Sequence, residues 1–183
     1  MPDRIPRIQP LTDSEASAEI QSILKDWPYN LHRMLAHNSG TLKKWMPFAE
    51  HILQENSLPE REREIAILRV AWNSQCAYEW GLHVRLARSL GFTDMDVLSL
   101  AAENPETVDL PVHERAVMLG VDEIMETWEV SDTTWSNLEA RFTAPQLIDF
   151  VFVTCQFMLV AVTLKTMRVP LEVGIEPLPT PAS

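Results

Sequence analysis

Residues 147–164 constrain the fold more than any other stretch of the chain. They carry apolar side chains at nearly every step, from Leu147 and Ile148 through Phe157 to Leu164. A helix that is apolar all round must be covered on all sides, so this segment predicts a helix enclosed by others, with a subunit interface supplying part of the cover. Asp149, Thr154, Gln156 and Thr163 interrupt the run. Those polar groups argue for a buried core helix and against a membrane span.

The rest of the chain supports an all-α fold. Apolar residues recur at steps of three and four in most segments, and strand signals are nearly absent. Capping boxes are predicted at Thr12 with Glu15, Ser57 with Glu60, Thr93 with Asp96 and Thr143 with Gln146. Together with the breaks at Trp27, Gly91 and the polar linker 104–111, they divide the chain into about eight or nine helices. The expected helices cover residues 14–25, 30–38, 41–54, 57–73, 76–90, 93–102, 112–127, 131–141 and 143–169. At 183 residues with 46% apolar content the chain suits one helical bundle domain spanning 1–183, with proline-rich, extended ends at about 1–11 and 170–183.

A formal charge of −11 opposes partnership with nucleic acid or an anionic membrane surface. A carboxylate substrate would then need a locally basic site. The first residues lack the basic start and continuous apolar run of a signal peptide, so a cytoplasmic location is expected. The two cysteines, Cys76 and Cys155, lie far apart without metal-ligand spacing and are expected as thiols.

Chemistry concentrates between Arg61 and His83. Ile65, Leu68 and Trp72 share one face of a helix, and Asn73, Ser74 and Gln75 predict its end, with a second helix starting near Cys76. The first turn of that second helix presents unpaired N–H groups to Cys76 and Glu79. His83 follows Glu79 by four residues, so carboxyl and imidazole share a face and are placed to exchange a proton.

The order Glu64, eleven residues, Cys76, two residues, Glu79, three residues, His83 resembles the active-site motif of the carboxymuconolactone decarboxylase superfamily, which includes the alkylhydroperoxidase-D-like proteins. The peroxidase branch has a second cysteine where this chain has Glu79. The words around Arg63–Val70 and Tyr78–His83 look like the decarboxylase-like branch instead. The resemblance implies an alkylhydroperoxidase-D-like bundle, a trimer or hexamer, and no metal or other cofactor. It also implies a small carboxylated or lactone substrate, with Glu64, Glu79 and His83 as the catalytic set and Glu64 governing the protonation of His83.

Each candidate also has an ordinary structural role. Glu64 reads equally as a solvated acid at a helix start, and Glu79 with His83 as a surface ion pair. Tyr78, Trp80 and Leu82 add bulk that favours a half-buried site. Arg69, and less so Arg85 and Arg88, are candidates to bind a substrate carboxylate. Trp45, Trp72 and Trp80 are candidate pocket walls, with core packing the simpler role for Trp72. His32, His37 and His51 are candidate edge residues or plain surface histidines. Cys76 corresponds in position to the resolving thiol of the peroxidase branch without its partner. Three functional readings follow: a cofactor-free lyase, a thiol peroxidase using Cys76, and a helical oligomer without catalysis.

Overall fold

The computed structural model describes residues 5–179, so the parts of the two proline-rich ends at 1–4 and 180–183 lie outside the described residues. Among the described residues there are nine α-helices and no strand: α1 (Ala18–Asp26), α2 (Asn30–Leu35), α3 (Ser39–Glu50), α4 (Glu60–Asn73), α5 (Ala77–Ser89), α6 (Asp94–Leu100), α7 (Val112–Thr127), α8 (Asp132–Glu139) and α9 (Ala144–Met167). The fold is all-α.

The helix at the centre is α4, which packs against α5, α7 and α9. Every residue from Glu62 to Ala71 is buried. The most apolar helix, α9, is only partly so. Its Leu147, Phe150, Val153, Phe157, Ala161 and Leu164 face the interior, whereas Ile148, Phe152, Leu159 and Val162 are each more than half exposed. The expectation that α9 is covered on all sides therefore fails within one copy of the chain. Burial follows position in the bundle, and α4 holds the middle with most of its buried charges paired there. Arg69 meets Asp122 at 2.6 Å, Glu62 meets His113 at 3.4 Å and Glu64 meets His83 at 2.8 Å.

The turn between α4 and α5 is a Schellman motif. The N–H of Cys76 donates to the Ala71 carbonyl (2.8 Å) and that of Gln75 to Trp72 (2.9 Å), with Gln75 in the left-handed region at φ 52°. Gly91, at φ 92°, ends α5 with the same pair of bonds, from Phe92 to Ala87 and from Gly91 to Arg88. The boxes at Thr93 and Thr143 form as expected, closed by Asp96 and Gln146.

Two other boxes do not cap helices. Glu15 accepts from the Thr12 N–H at 2.8 Å, but this closes a turn, and α1 starts later under the Ser17 hydroxyl. Ser57 gives both its N–H and its hydroxyl to Asp149 on α9, each at 2.6 Å, and leaves α4 without a side-chain cap. The helix expected over 41–54 is also broken. Pro47 lies inside α3, and the chain widens into one π-helical turn at His51–Glu55, a distortion that such turns confine to single steps and that often borders sites.

Residues 169–179 strap across α2 and α5. Glu172 accepts from the Asn30 N–H and the Tyr78 hydroxyl, both at 2.6 Å, Arg85 donates to the Gly174 carbonyl at 3.0 Å, and Arg88 pairs with Glu176. Gly81 makes the close approach possible: a Cβ there would stand 2.0 Å from Ile175 and 2.6 Å from the Glu176 carbonyl. At the other end Arg7 is tied to α9 through the Met167 and Thr166 carbonyls.

Candidate active site

The α1–α3 segment and the α4–α5–α9 layers border a half-open cavity of about 690 Å³, within the usual range for small-molecule sites. Glu79 and His83 both line it, as the four-residue step on α5 requires. Glu64 stands behind His83, fully buried on α4, with its Oε2 2.8 Å from His83 Nδ1. A neutral imidazole that donates from Nδ1 to this carboxylate keeps Nε2 as a lone-pair acceptor for the cavity. The edge of the ring meets Phe157 at 5.0 Å and 89°, which fixes its plane.

Glu79 is in a different state. It is buried, and among the described residues neither carboxyl oxygen has a hydrogen-bond partner. Burial pushes its pKa well above the ordinary 4.5, with the neighbouring Cys76 thiol only partly opposing the shift. The raised pKa favours the protonated, uncharged form of Glu79. The chain thus lines one cavity with a hydrogen-bonded imidazole and a carboxyl whose burial favours its acid form.

Cys76 caps α5 but is not part of the cavity wall. It is buried with Leu31, Tyr78 and Leu164. Burial and the adjacent Glu79 push its thiol up to about 12, so the anion-stabilising helix start expected there is outweighed by desolvation. Cys155 is exposed on α9.

Several candidates lie elsewhere. Arg69 is not at the cavity; its guanidinium is consumed by Asp122 (2.6 Å twice) and by the carbonyls of Leu100 (3.0 Å) and Ala102 (2.6 Å). Trp80 packs in the main core against Trp72, ring centres 5.8 Å apart. His37 is exposed and bonds the Gln9 carbonyl at 2.8 Å. His51 sits near the exposed Glu55, and Arg88 bridges Asp94 and Glu176. Tyr78, Trp45, Arg85 and Leu82 do line the cavity.

His32 lines it as well, packed within 5.4–6.0 Å of the rings of Trp27, Tyr29 and Trp45. Burial holds its pKa down to about 4, so it is neutral at pH 7. The residue that sequence reasoning missed is Arg63, which borders the cavity and is buried. Its signal was the same all-round burial of α4 that encloses Ile65 and Leu68. Among the described residues no three His, Cys, Asp or Glu side chains converge as a metal centre needs.

The sequence matches the Carboxymuconolactone decarboxylase family over residues 40–130, a stretch that contains Glu64, Cys76, Glu79 and His83. No curated protein matches it in sequence. Among solved structures, an uncharacterized peroxidase-related protein with an alkylhydroperoxidase AhpD core from Ralstonia eutropha is similar with a TM-score of 0.78 and 18% identity, over 93% of this chain and 94% of that one. A peroxidase-related protein from Silicibacter sp. gives 0.74 and 18%, covering 93% and 91%. The debrominase Bmp8, solved with 2,3,4-tribromopyrrole, gives 0.73 and 13%, covering 91% of each chain. The family match and the shared fold make this chain a member of the carboxymuconolactone decarboxylase superfamily, with the alkylhydroperoxidase-D-like fold and with Glu79, not a cysteine, three residues after Cys76.

Proposed function

We propose that this protein is a lyase that needs no cofactor and decarboxylates a small, unsaturated carboxylic acid or lactone acid by proton transfer. The observation that carries the reading is Glu79, a buried carboxyl with no hydrogen-bond partner among the described residues, which shares its cavity with the imidazole held by Glu64. In the reaction the bond from the substrate carbon to its carboxylate breaks and its electron pair moves into the adjacent unsaturated lactone or carbonyl. Carbon dioxide leaves. The Glu79 carboxyl gives its proton to that carbon and becomes a carboxylate, and water restores the proton through His83 Nε2. The lining favours a flat substrate, since Trp27, Tyr29, His32, Trp45 and Phe157 supply ring faces.

The peroxidase reading has weaker support, because Cys76 is buried, is held as a thiol and has no second cysteine three residues on. The deciding experiment offers a panel of unsaturated lactone acids and β-keto acids in deuterium oxide, follows carbon dioxide release and deuterium incorporation, and runs an organic hydroperoxide with a thiol reductant in parallel. Enzyme-dependent release with one deuterium at the former carboxyl carbon supports the lyase. Peroxide turnover lost in Cys76→Ser, with no lyase activity on any acid, overturns it.

A further inference from the structure

Two arginines of α4 are buried to nearly the same degree, and their surroundings differ completely. Arg69 is 2% exposed and makes four hydrogen bonds, as described above. Arg63 is 6% exposed, and its buried Nε has no hydrogen-bond partner among the described residues. The nearest acids are Glu64 at 3.8 Å and the largely exposed Glu60 at 3.9 Å, both beyond hydrogen-bond reach. Glu64 has already given its other oxygen to His83.

A guanidinium is always charged, and a buried one without hydrogen bonds carries a large desolvation cost. Among the described residues Nε has no acceptor within hydrogen-bond reach, the nearest being the equally unpartnered Glu64 Oε1 at 3.8 Å, and the side chain borders the cavity that holds Glu79 and His83. A planar anion entering the cavity would meet an unused fork of donors.

We propose that Arg63 is the residue that selects acids for this cavity, by hydrogen-bonding a carboxylate of the bound ligand. The proposal deepens the lyase reading and rests on it only for the name of the reaction, since anion binding is measurable without turnover. It also supplies the local positive charge that a chain of net charge −11 needs in order to hold an anionic substrate. Arg85, which lines the same cavity, is distinguished by its bond to the Gly174 carbonyl at 3.0 Å.

The test is calorimetric titration of the full chain with 2-furoate and benzoate against their methyl esters. The expected result is that each acid binds at least about tenfold more tightly than its ester, that Arg63→Gln abolishes the preference, and that Arg63→Lys restores part of it. Arg85→Gln keeps the preference. Equal binding of acid and ester by the parent overturns the proposal, as does a preference that survives Arg63→Gln. A preference lost in Arg85→Gln and kept in Arg63→Gln overturns it by moving the anchor to Arg85. If Arg63→Gln does not fold, the Arg63→Lys preference decides: an unchanged ratio refutes a bidentate contact. A chain that prefers acids through Arg63 yet releases no carbon dioxide keeps this proposal and loses the lyase, and turnover without any Arg63 effect on binding does the reverse.

Discussion

Glu64 Oε2 lies 2.8 Å from His83 Nδ1, across the interface of α4 and α5, and both groups are shielded from solvent. The pairing is possible because the Schellman turn at Gln75 folds α5 back along α4, bringing together residues 19 positions apart. Glu64 stands behind the imidazole and not on the cavity wall, so in the lyase reading it acts through His83 by orienting the ring.

Glu64→Gln should therefore lower turnover by about a hundred- to ten-thousand-fold, since an amide can bond Nδ1 in either sense and no longer stabilises an imidazolium. A purely structural role would change the melting temperature and leave the turnover of the folded protein in place. The expected observation is the loss of turnover in protein whose helical circular dichroism and melting temperature match the parent.

The raised pKa of Glu79 has a consequence for stability. In the unfolded chain Glu79 ionises near its ordinary 4.5, whereas in the fold it keeps its proton to much higher pH. Between those values the folded state binds more protons than the unfolded state, so stability is fully present below about 4.5 and falls as pH rises toward the folded pKa. Glu79→Gln removes the titration. The variant should gain on the parent in thermal melts as pH is raised from 4.5 to 8 while turnover drops by about a hundred- to ten-thousand-fold. A melting difference that does not vary with pH would contradict the protonated state, and unchanged turnover would remove Glu79 from the mechanism.

How far these features were legible differs from residue to residue. Thr93, Thr143 and Gly91 act within their own turns, so their caps and stops can be read from neighbouring letters. Ser57 has the same local pattern, but its partner is Asp149, 92 residues away, and no local rule sees it. Glu79 and His83 share a face by helical spacing alone. Arg63 and Arg69 are indistinguishable on that criterion, because their fates depend on what α7 and the cavity bring to opposite sides of a fully buried helix. Trp80 was drawn toward the site by its neighbours Glu79 and Leu82, whereas its own side of α5 faces Trp72 and the core.

Cys76→Ser should leave lyase turnover within a few-fold. With the thiol pushed up to about 12, about one molecule in a hundred thousand carries a thiolate at pH 7, too few for useful attack on a peroxide. The substitution does place a hydroxyl in an apolar cluster formed with Leu31, Val160 and Leu164. A loss of roughly 1–3 kcal/mol in chemical denaturation is expected. Rapid alkylation of Cys76 in the native protein at pH 7, read by mass spectrometry with Cys155→Ser as the background, would contradict the buried thiol.

We propose that a second copy of the chain covers the exposed face of α9. Ile148, Phe152, Cys155, Leu159 and Val162 follow one another at steps of four, three, four and three, the spacing of a helix-packing seam. All five are exposed. Phe48 of α3 extends the seam by meeting the ring of Phe152 edge-on at 6.1 Å. A continuous apolar stripe on a helix long enough to span a membrane, yet half buried in this fold, has two resolutions: lipid or protein. Lipid would demand that α9 leave the bundle and abandon Phe150, Val153 and Leu164, which are almost fully buried. Association of like copies leaves them in place. Sedimentation at micromolar concentration should give a species well above the 20.9 kDa of one chain, and Phe152→Glu with Leu159→Glu should reduce it to a monomer that keeps its helical content. A parent protein that sediments as a monomer would defeat this, and so would a double variant that remains assembled.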